Sequence, residues 1–383
     1  MWEVTLDCTS AKELRVDIMK NVFYLAPGIQ LNLRRWFPKA LCGVFLGLSL
    51  LPMAWAAPPR HARNTLQIYF VDVEGGQATL FVTPGGQSLL IDTGWPGNDS
   101  RDADRIAAAA RDASIAKIDF VLLTHFHQDH AGGITQLAAK IPVGMVIDHG
   151  DNREHTDAAT EQTWQDYRKF LANGNVKRLT AKPGEVLPLR GIRAEVISSD
   201  GALIEKPLPG AGGTNTNCKA SDQHAVDLTE NLRSLGTMIT FGKLRILDLG
   251  DLTWDKEMEL MCPVNRLGTI DIYIVSHHGW SQSNSPALLN GIAPRVAIMD
   301  NGAAKGGSPS SWETIKKSPR LEDFWQLHFS NEGGAAHNSA DSFLANLPGP
   351  DAGNYLKLTA RKNGSFDIFN SRTQGSKHYE APR

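Results

Sequence analysis

The feature that most constrains this chain is a histidine-rich run at residues 124–130, which reads Thr-His-Phe-His-Gln-Asp-His. It directly follows the apolar stretch 118–123, which predicts a buried strand. Surface turns favour Gly, Asn, Asp and Pro for backbone reasons, so three histidines in six residues are not turn chemistry. Neutral imidazole and carboxylate oxygen are ligands of zinc where thiolates are absent. The run therefore predicts a metal site.

The end of a strand holds such a loop rigidly, so the positions of its side chains predict which metal ion each one binds. We expect His125 and His127 to converge on one metal ion, and Asp129 and His130 to turn toward a second. Other polar residues also stand at the ends of predicted strands, namely Asp92, Asp148, His149, Asp251, Ser276, His277 and His278. Ligands in layered α/β folds gather at such strand ends. We therefore predict that these residues share one rim of the molecule with the histidine-rich run.

Predicted strands and helices alternate along most of the chain. Apolar or alternating runs indicate strands across residues 66–369, and helical patterns lie between them, the last at 340–347. Hairpin turns close the pattern at both ends, which suits two sheets sandwiched between helices. No Pro/Gly-rich linker divides the chain, and residues 209–222 read as one long loop. We therefore predict an α/β fold of a single domain.

The first 56 residues have the pattern of an export signal. A basic segment precedes the apolar stretch 40–51, which is too short for a stable membrane anchor, and Ala-Trp-Ala follows at 54–56. Small residues at those two positions predict cleavage after the second alanine. The paired Arg34 and Arg35 also resemble a twin-arginine signal, and the general and twin-arginine routes both stay open. We expect the mature domain to be residues 57–383, periplasmic or secreted, with no membrane anchor.

The mature chain lacks the charge pattern of a nucleic-acid-binding protein. The whole chain has 39 basic and 41 acidic residues, and removal of six basic and four acidic ones leaves 33 against 37, a net charge of −4. Proteins that bind nucleic acids usually carry a basic domain or stripe. We therefore expect a small-molecule or cell-wall-linked substrate, since the sequence carries no strong nucleic-acid signal.

Two cysteines, Cys218 and Cys262, remain after the predicted cleavage. In an oxidising compartment they can form a disulfide. Each can equally be a small buried hydrophobic residue. Their spacing does not fit a CxxC metal motif, so thiolate ligands are not predicted.

Four motifs, in order along the chain, resemble those of the metallo-β-lactamase superfamily. They are Leu-Leu-Ile-Asp-Thr-Gly at 89–94, His-x-His-x-Asp-His at 125–130, a strand ending in Gly-Asp at 245–251, and Ser-His-His-Gly at 276–279. The resemblance spans about residues 66–370 and implies a four-layer αββα sandwich. It also implies two zinc ions, with manganese or iron as alternatives, that supply a metal-bound hydroxide as the nucleophile.

The resemblance further implies a role for each polar residue. Asp251 is expected to bridge the two ions, and His278 to close the second site, which leaves His277 free to shuttle protons or to hydrogen-bond the substrate. Asp92 is expected to lie beneath the metal loop and to accept a hydrogen bond from a metal-bound histidine. Catalysis is thus expected to depend on Asp129 and His277.

The chain departs from the lactamase-type members of the family at one place. Those members have a further histidine in the turn before the Gly-Asp strand, and the corresponding residues 229–234 contain none. His149 and His224 are the two candidates for the missing ligand. We favour His149, because it lies on the predicted rim of strand ends.

An Asn-x-x-Ser pattern at 231–234 and the His-His-Gly sequence at 277–279 resemble one branch of the family. This branch contains the extracytoplasmic lactamase-like domain of competence-type DNA-uptake channel proteins and the related phosphorylcholine esterases. It implies phosphoester chemistry, so we predict an exported metal-dependent hydrolase of a phosphodiester or phosphoester. A β-lactam or a lactone is the alternative substrate. A non-catalytic metal-binding or sensing domain is the alternative of another class.

Overall fold

Two β-sheets pack face to face, with helices on both outer surfaces. The computed structural model describes residues 64–174, 176–222 and 224–382, so the predicted export signal lies outside the described residues. Within these ranges the strands are β1 (Thr65–Phe70), β2 (Thr79–Val82), β3 (Ser88–Ile91), β4 (Ile118–Leu122), β5 (Val143–Asp148), β6 (Lys177–Thr180), β7 (Arg193–Ser199), β8 (Ala202–Leu203), β9 (Gly236–Phe241), β10 (Leu244–Asp248), β11 (Ile272–Ile274), β12 (Val296–Met299), β13 (Asp323–His328), β14 (Leu344–Asn346), β15 (Leu356–Arg361), β16 (Phe366–Asn370) and β17 (Gly375–Tyr379). The helices are α1 (Arg101–Asp112), α2 (Gln128–Ala131), α3 (Ile134–Ala138), α4 (Ala158–Asn173), α5 (Trp254–Met261), α6 (Pro286–Ile292) and α7 (Pro309–Lys316). None of these described helices has the length and apolar character needed to span a lipid bilayer.

The order of the strands explains why polar loops gather at one rim. The first sheet runs β17-β16-β15-β1-β2-β3-β4-β5-β6, and the second runs β14-β13-β12-β11-β10-β9-β7-β8. Strands β3 to β6 are parallel to one another, as are β10 to β14. Parallel neighbours have their carboxyl ends at the same edge of the sheet, where ligand sites of layered α/β folds form. The loops that follow these strands therefore lie side by side.

The inner faces of the two sheets share one apolar cluster. It joins residues of the first sheet, such as Phe81 and Ile91, to residues of the second, such as Ile246 and Ile298. The outer face of the first sheet packs on α1, α3 and α4, and that of the second packs on α5, α6 and α7. Strands covered on both faces are apolar throughout, as β12 is with Val-Ala-Ile-Met. This arrangement confirms the predicted four-layer αββα sandwich.

Local sequence signals determine where several helices begin. Asp157 caps α4, because its side chain accepts a hydrogen bond from Thr160 N. Ser285 caps α6 in the same way, and Pro286 occupies the first position of that helix, where no intrahelical N–H is required. Helix α1 is rich in alanine, which favours helix, and it buries Ile106 against the first sheet.

The helix predicted over 340–347 is wrong. The structure has a 3-10 turn at Asp341–Phe343, followed by β14, which pairs in parallel with β13. Leu344 and Ala345 are fully buried there, so packing in the sheet overrides the local helical spacing. Strand β13 is itself absent from the predicted strands, because polar residues interrupt its apolar pattern.

A disulfide joins Cys218 to Cys262, which decides between the two alternatives that the sequence left open. The two Cα atoms are 5.8 Å apart, within the usual range for such a bond. The bond ties the long loop after β8 to the residue that follows α5.

Candidate metal centre

The histidine-rich loop lies at the carboxyl end of β4, as predicted. Thr124 N donates to Asp92 Oδ1 at 2.8 Å, and Thr124 Oγ1 donates to Asp92 Oδ2 at 2.7 Å. Gly76 lets a neighbouring loop approach closely, because a Cβ there would lie 2.3 Å from the carbonyl oxygen of Asp129. Hydrogen bonds on one side and close packing on the other therefore fix the position of this loop.

Four buried donor groups converge at this rim, and they are Asp129, His130, Asp251 and His278. His130 Nε2 lies 3.2 Å from Asp129 Oδ2 and 3.2 Å from Asp251 Oδ2. His278 Nε2 lies 3.2 Å from Asp129 Oδ2 and 3.5 Å from Asp251 Oδ1. Ligand atoms about 2.0–2.1 Å from a tetrahedral ion are about 3.3 Å from one another. The four donors therefore have the spacing of a metal coordination shell.

One oxygen of Asp251, Oδ1, has only a distant partner, His278 Nε2 at 3.5 Å. Its Oδ1 is buried and makes no hydrogen bond within the described part of the chain. Buried polar atoms without a partner are rare, because each costs about 1–3 kcal/mol of desolvation. A cation among the four donors would interact with this oxygen, so the donor set fits a divalent metal ion.

His125 and His127 form a further pair of donors beside the first four. His125 Nε2 lies 3.0 Å from His127 Nδ1 and 3.9 Å from Asp251 Oδ2. The same Oδ2 of Asp251 lies 3.2 Å from His130 Nε2. The carboxylate of Asp251 therefore stands between two groups of donors, where a bridging ligand would stand.

Two histidines of the centre have their other ring nitrogen occupied by an acceptor. Asp92 Oδ2 is 2.7 Å from His130 Nδ1, and the carbonyl oxygen of Asp300 is 3.2 Å from His278 Nδ1. Such partners fix the tautomer and the orientation of a metal-binding imidazole. Both rings therefore direct Nε2 to the point where the four groups converge, and Nε2 would bind a metal ion there after losing its proton.

Opposite charges balance one another within the centre. Burial raises the pKa values of Asp129 and Asp251, but neighbouring imidazoles, His130 above all, hold both well below the usual range. Burial lowers the pKa of His278, but the carboxylates of Asp251 and Asp129 together outweigh this effect and raise it to about 10. The pKa of His130 is likewise lowered by burial and raised by Asp251 and Asp129, and ends well above its usual value. Protons on the imidazoles thus supply the positive charge that a metal ion would bring.

His277 lies beside the centre in an unusual backbone conformation. It has φ 55° and ψ 40°, a left-handed conformation that non-glycine residues seldom adopt. A hydrogen bond from its backbone N to Gly250 O at 3.1 Å helps to hold it there. Its Nε2 is 3.5 Å from Asp251 Oδ2, and burial lowers its pKa to about 4. His277 is therefore a neutral imidazole that faces the carboxylate between the two groups of donors.

The two candidates for the missing ligand have different surroundings. His149 Nε2 lies 2.9 Å from Oε2 of the buried Glu230, and the Phe126 ring packs against the imidazole with 4.9 Å between centroids. His224 stacks on the Trp254 ring with 4.0 Å between centroids. The preference for His149 as a ligand stays a prediction: Glu230 occupies its Nε2, and its Nδ1 is buried without a hydrogen-bond partner among the described residues.

Three further residues of this region carry charges that the sequence interpretation does not include. Glu154 Oε2 lies 3.0 Å from His127 Nε2, and Glu230 Oε2 accepts from a backbone N–H of the histidine-rich loop at 3.3 Å. Both glutamates lie in irregular segments, so no periodicity marks them. Lys305 contacts a carboxylate of the centre and follows β12. Lys305 stands six residues beyond the end of β12, so the rule of polar residues directly after parallel strands does not select it.

Residues 71–219 match the family model described as the metallo-beta-lactamase superfamily. This region belongs to that superfamily. The donor residues that precede β5, from Asp92 to His130, fall within the matched segment.

Curated relatives of this superfamily region are similar over part of their length. Recombination protein 2 of Haemophilus influenzae is 24% identical over 243 residues, which cover 63% of this chain and 25% of that protein. This similarity agrees with the predicted place near the competence-type branch. Atrochrysone carboxyl ACP thioesterase dmxR1 of Cryptosporiopsis sp. is 32% identical over 111 residues, 28% of this chain and 32% of that protein. A UPF0173 metal-dependent hydrolase of Herpetosiphon aurantiacus is 36% identical over 76 residues, 19% of this chain and 29% of that protein. The chain thus spans about a quarter to a third of the length of these relatives.

We expect Asp92→Asn to weaken zinc binding by about 10- to 100-fold, as is usual when the acceptor behind a metal-bound histidine is changed. The amide presents only one oxygen, whereas Asp92 accepts from both Thr124 and His130. Competition with a chromogenic chelator measures the affinity. Asp271→Asn is the matched control, because Asp271 is also buried and accepts a backbone N–H, from Arg245, but precedes β11 at the opposite rim. Equal zinc affinity of Asp92→Asn and wild type would remove Asp92 from the centre.

Proposed function

We propose that this chain is a metal-dependent hydrolase. The observation that carries the proposal is the convergence of four buried donors around an unsatisfied carboxylate oxygen, Asp251 Oδ1. The superfamily region supports it, as does a relative named as a metal-dependent hydrolase. A buried cluster of this kind has no evident structural purpose, since apolar residues of the same volume are often as stabilising as buried ion pairs.

We assign two ions to the centre, zinc first because histidine and carboxylate donors suit it, with manganese or iron as alternatives. One ion would be held by His125, His127 and Asp251. The other would be held by Asp129, His130, Asp251 and His278. When bound, zinc lowers the pKa of its water to about 7 and so supplies a nucleophile at neutral pH.

His277 is proposed to accept the proton that the reaction releases near the centre. Its Nδ1 is 3.3 Å from Ser283 Oγ, and this hydroxyl donates its own hydrogen to Leu252 O at 2.8 Å. Ser283 Oγ can then accept only from the imidazole, which places the hydrogen of His277 on Nδ1. Nε2 is left without a hydrogen and faces Asp251, so it is the atom that takes up the proton.

The substrate that we propose is a phosphodiester or phosphoester. Two divalent ions would bring a charge of +4 against −2 from Asp129 and Asp251, which favours an anionic substrate. Two ions about 3.5–4 Å apart can also hold both oxygens of an in-line phosphoryl displacement. The mature chain, with 33 basic and 37 acidic residues, has no field that would gather a long polyanion. A small or cell-wall-linked substrate is therefore favoured over nucleic acid.

The second candidate is hydrolysis of a carbonyl compound, such as a lactone or a β-lactam. One observation favours it, because the relative of Cryptosporiopsis sp. is named as a thioesterase. A metal ion can polarise a carbonyl oxygen as well as a phosphoryl oxygen. Charge separates the two candidates, since a lactone is neutral at the reacting group.

We also propose that the mature protein works outside the cytoplasm. The signal pattern in the first 56 residues supports this location. The disulfide between Cys218 and Cys262 supports it too, because disulfides persist in oxidising compartments.

The zinc-loaded protein should hydrolyse bis-p-nitrophenyl phosphate faster than a chromogenic cephalosporin or an acyl lactone, measured side by side. Asp129→Asn should reduce kcat/KM by at least about 100-fold, because it removes a charged ligand rather than a residue that supports one. Asp271→Asn should leave the rate unchanged. Turnover of the cephalosporin without the phosphodiester would replace the proposed substrate class. A zinc-bound protein that turns over none of the three would be a binding or sensing domain instead.

Protein recovered from the extracytoplasmic fraction should begin at Ala57, and N-terminal peptide sequencing reads this directly. Joint replacement of Arg34 and Arg35 by lysine tests the twin-arginine route, because only that route requires the arginine pair. Soluble cytoplasmic protein that retains residues 34–56 would contradict the proposed location.

A further inference from the structure

Lys305 places an ammonium group at the edge of the metal centre. Its Nζ contacts Asp129 Oδ2, the oxygen that also lies 3.2 Å from His130 Nε2 and 3.2 Å from His278 Nε2. The Lys305 side chain is 18% exposed, whereas that of Asp129 is 8% exposed. The Lys305 side chain is therefore more exposed than the carboxylate that it contacts.

The loop that carries Lys305 is packed against a residue of the centre. A Cβ at Gly306 would lie 2.2 Å from the carbonyl oxygen of His278, so only glycine allows this approach. Gly302 N donates to Lys305 O at 2.9 Å, which closes the turn. The backbone of Lys305 is therefore held in place by the segment that supplies His278.

Two tryptophans hold the ammonium group near the centre. Nζ lies 5.0 Å from the Trp95 ring centroid and 5.3 Å from the Trp280 ring centroid. Cations within about 6 Å of an aromatic centroid are attracted by the face of the ring. Trp95 follows β3, and Trp280 follows the 3-10 turn Ser276–Gly279, so both come from segments that build the centre. The charge would stay here even without its contact to Asp129.

A metal ion and Lys305 require the same oxygen. Asp129 Oδ2 belongs to the four donors that fit an ion, and an ion there would repel the ammonium strongly at such short range. Among the described residues Lys305 forms no other ion pair. Displaced from Asp129 but retained by Trp95 and Trp280, the ammonium would lie beside the ion without an anionic partner.

We propose that Lys305 binds an anionic oxygen of the substrate, beside the scissile bond, once metal occupies the centre. This inference rests on the proposed function and sets the substrate class of the same site. A phosphoryl group and a carboxylate both offer such an oxygen, whereas a neutral ester or lactone does not. Lys305 is thus a specificity-determining residue that selects anionic substrates.

Three variants test this role. Lys305→Met removes the charge and keeps an unbranched apolar stem, and Lys305→Arg keeps the charge. Lys357→Met is the matched control, because Lys357 Nζ also lies over an aromatic ring, 4.6 Å from the Tyr69 centroid, and 3.0 Å from a carboxylate oxygen of Asp112. That lysine belongs to β15 in the first sheet.

Calorimetry on the zinc-loaded protein measures the binding of inorganic phosphate and of acetate. Lys305→Met should bind phosphate about 10- to 100-fold more weakly, the usual effect of losing a hydrogen bond to a charged group. Lys305→Arg and Lys357→Met should bind it as wild type does. An equal loss of affinity for acetate would mean that Lys305 binds any anionic oxygen. A loss of affinity for phosphate alone would mean that it binds phosphoryl groups selectively. Both results support the proposal.

Kinetics supply the second readout. Lys305→Met should raise KM for bis-p-nitrophenyl phosphate by a larger factor than it raises KM for the neutral p-nitrophenyl acetate. Unaltered phosphate affinity in Lys305→Met would overturn the proposal, and so would a wild type that binds no phosphate. Loss of zinc from Lys305→Met would also overturn it, because the lysine would then support the metal. If wild type hydrolyses nothing while Lys305→Met loses phosphate binding, the hydrolase proposal fails and the role of Lys305 stands.

Discussion

Two buried carboxylates, Asp129 and Asp251, stand so close that a single atom, His130 Nε2, lies 3.2 Å from an oxygen of each. Like charges buried together destabilise a fold unless cations compensate them. Here the imidazoles of His130 and His278 and the ammonium of Lys305 provide the compensation. The loops that carry His130, His278 and Lys305 therefore meet at one point, the carboxylate of Asp129.

The groups that compensate the buried negative charge come from both sheets. Asp129 and His130 follow β4 of the first sheet, whereas Asp251 follows β10 and His278 follows β11 of the second. The apolar layer between the sheets sets the distance between these pairs. Close packing transmits displacements of core residues to the loops, since protein interiors are as dense as organic crystals. The spacing of the donors therefore depends on how the core between the two sheets is packed.

The sequence predicts those parts of the site that depend on residues near one another in the chain or directly after a predicted strand. The histidine-rich run converges because its residues are neighbours at a strand end, and Asp251 and His278 follow because each stands after an apolar parallel strand. The contacts of Lys305 depend on how distant loops pack, which no periodicity records. His149 shows the same limit, since its strand-end position is predicted but its pairing with a buried glutamate is not. Over 340–347, parallel pairing with β13 likewise overrides the local pattern.

A metal ion that enters this centre must take the place of protons on imidazoles whose pKa values the carboxylates raise, those of His130 and His278. Calorimetric titration of the metal-free protein with zinc, at one neutral pH in two buffers of different protonation enthalpy, counts these protons. We expect about one or more protons released per bound ion, and tighter binding as the pH rises, because the ligands must be deprotonated. No zinc binding at all would contradict the assignment of this cluster as a metal centre, and tight zinc binding without proton release would contradict the raised pKa values of these two imidazoles.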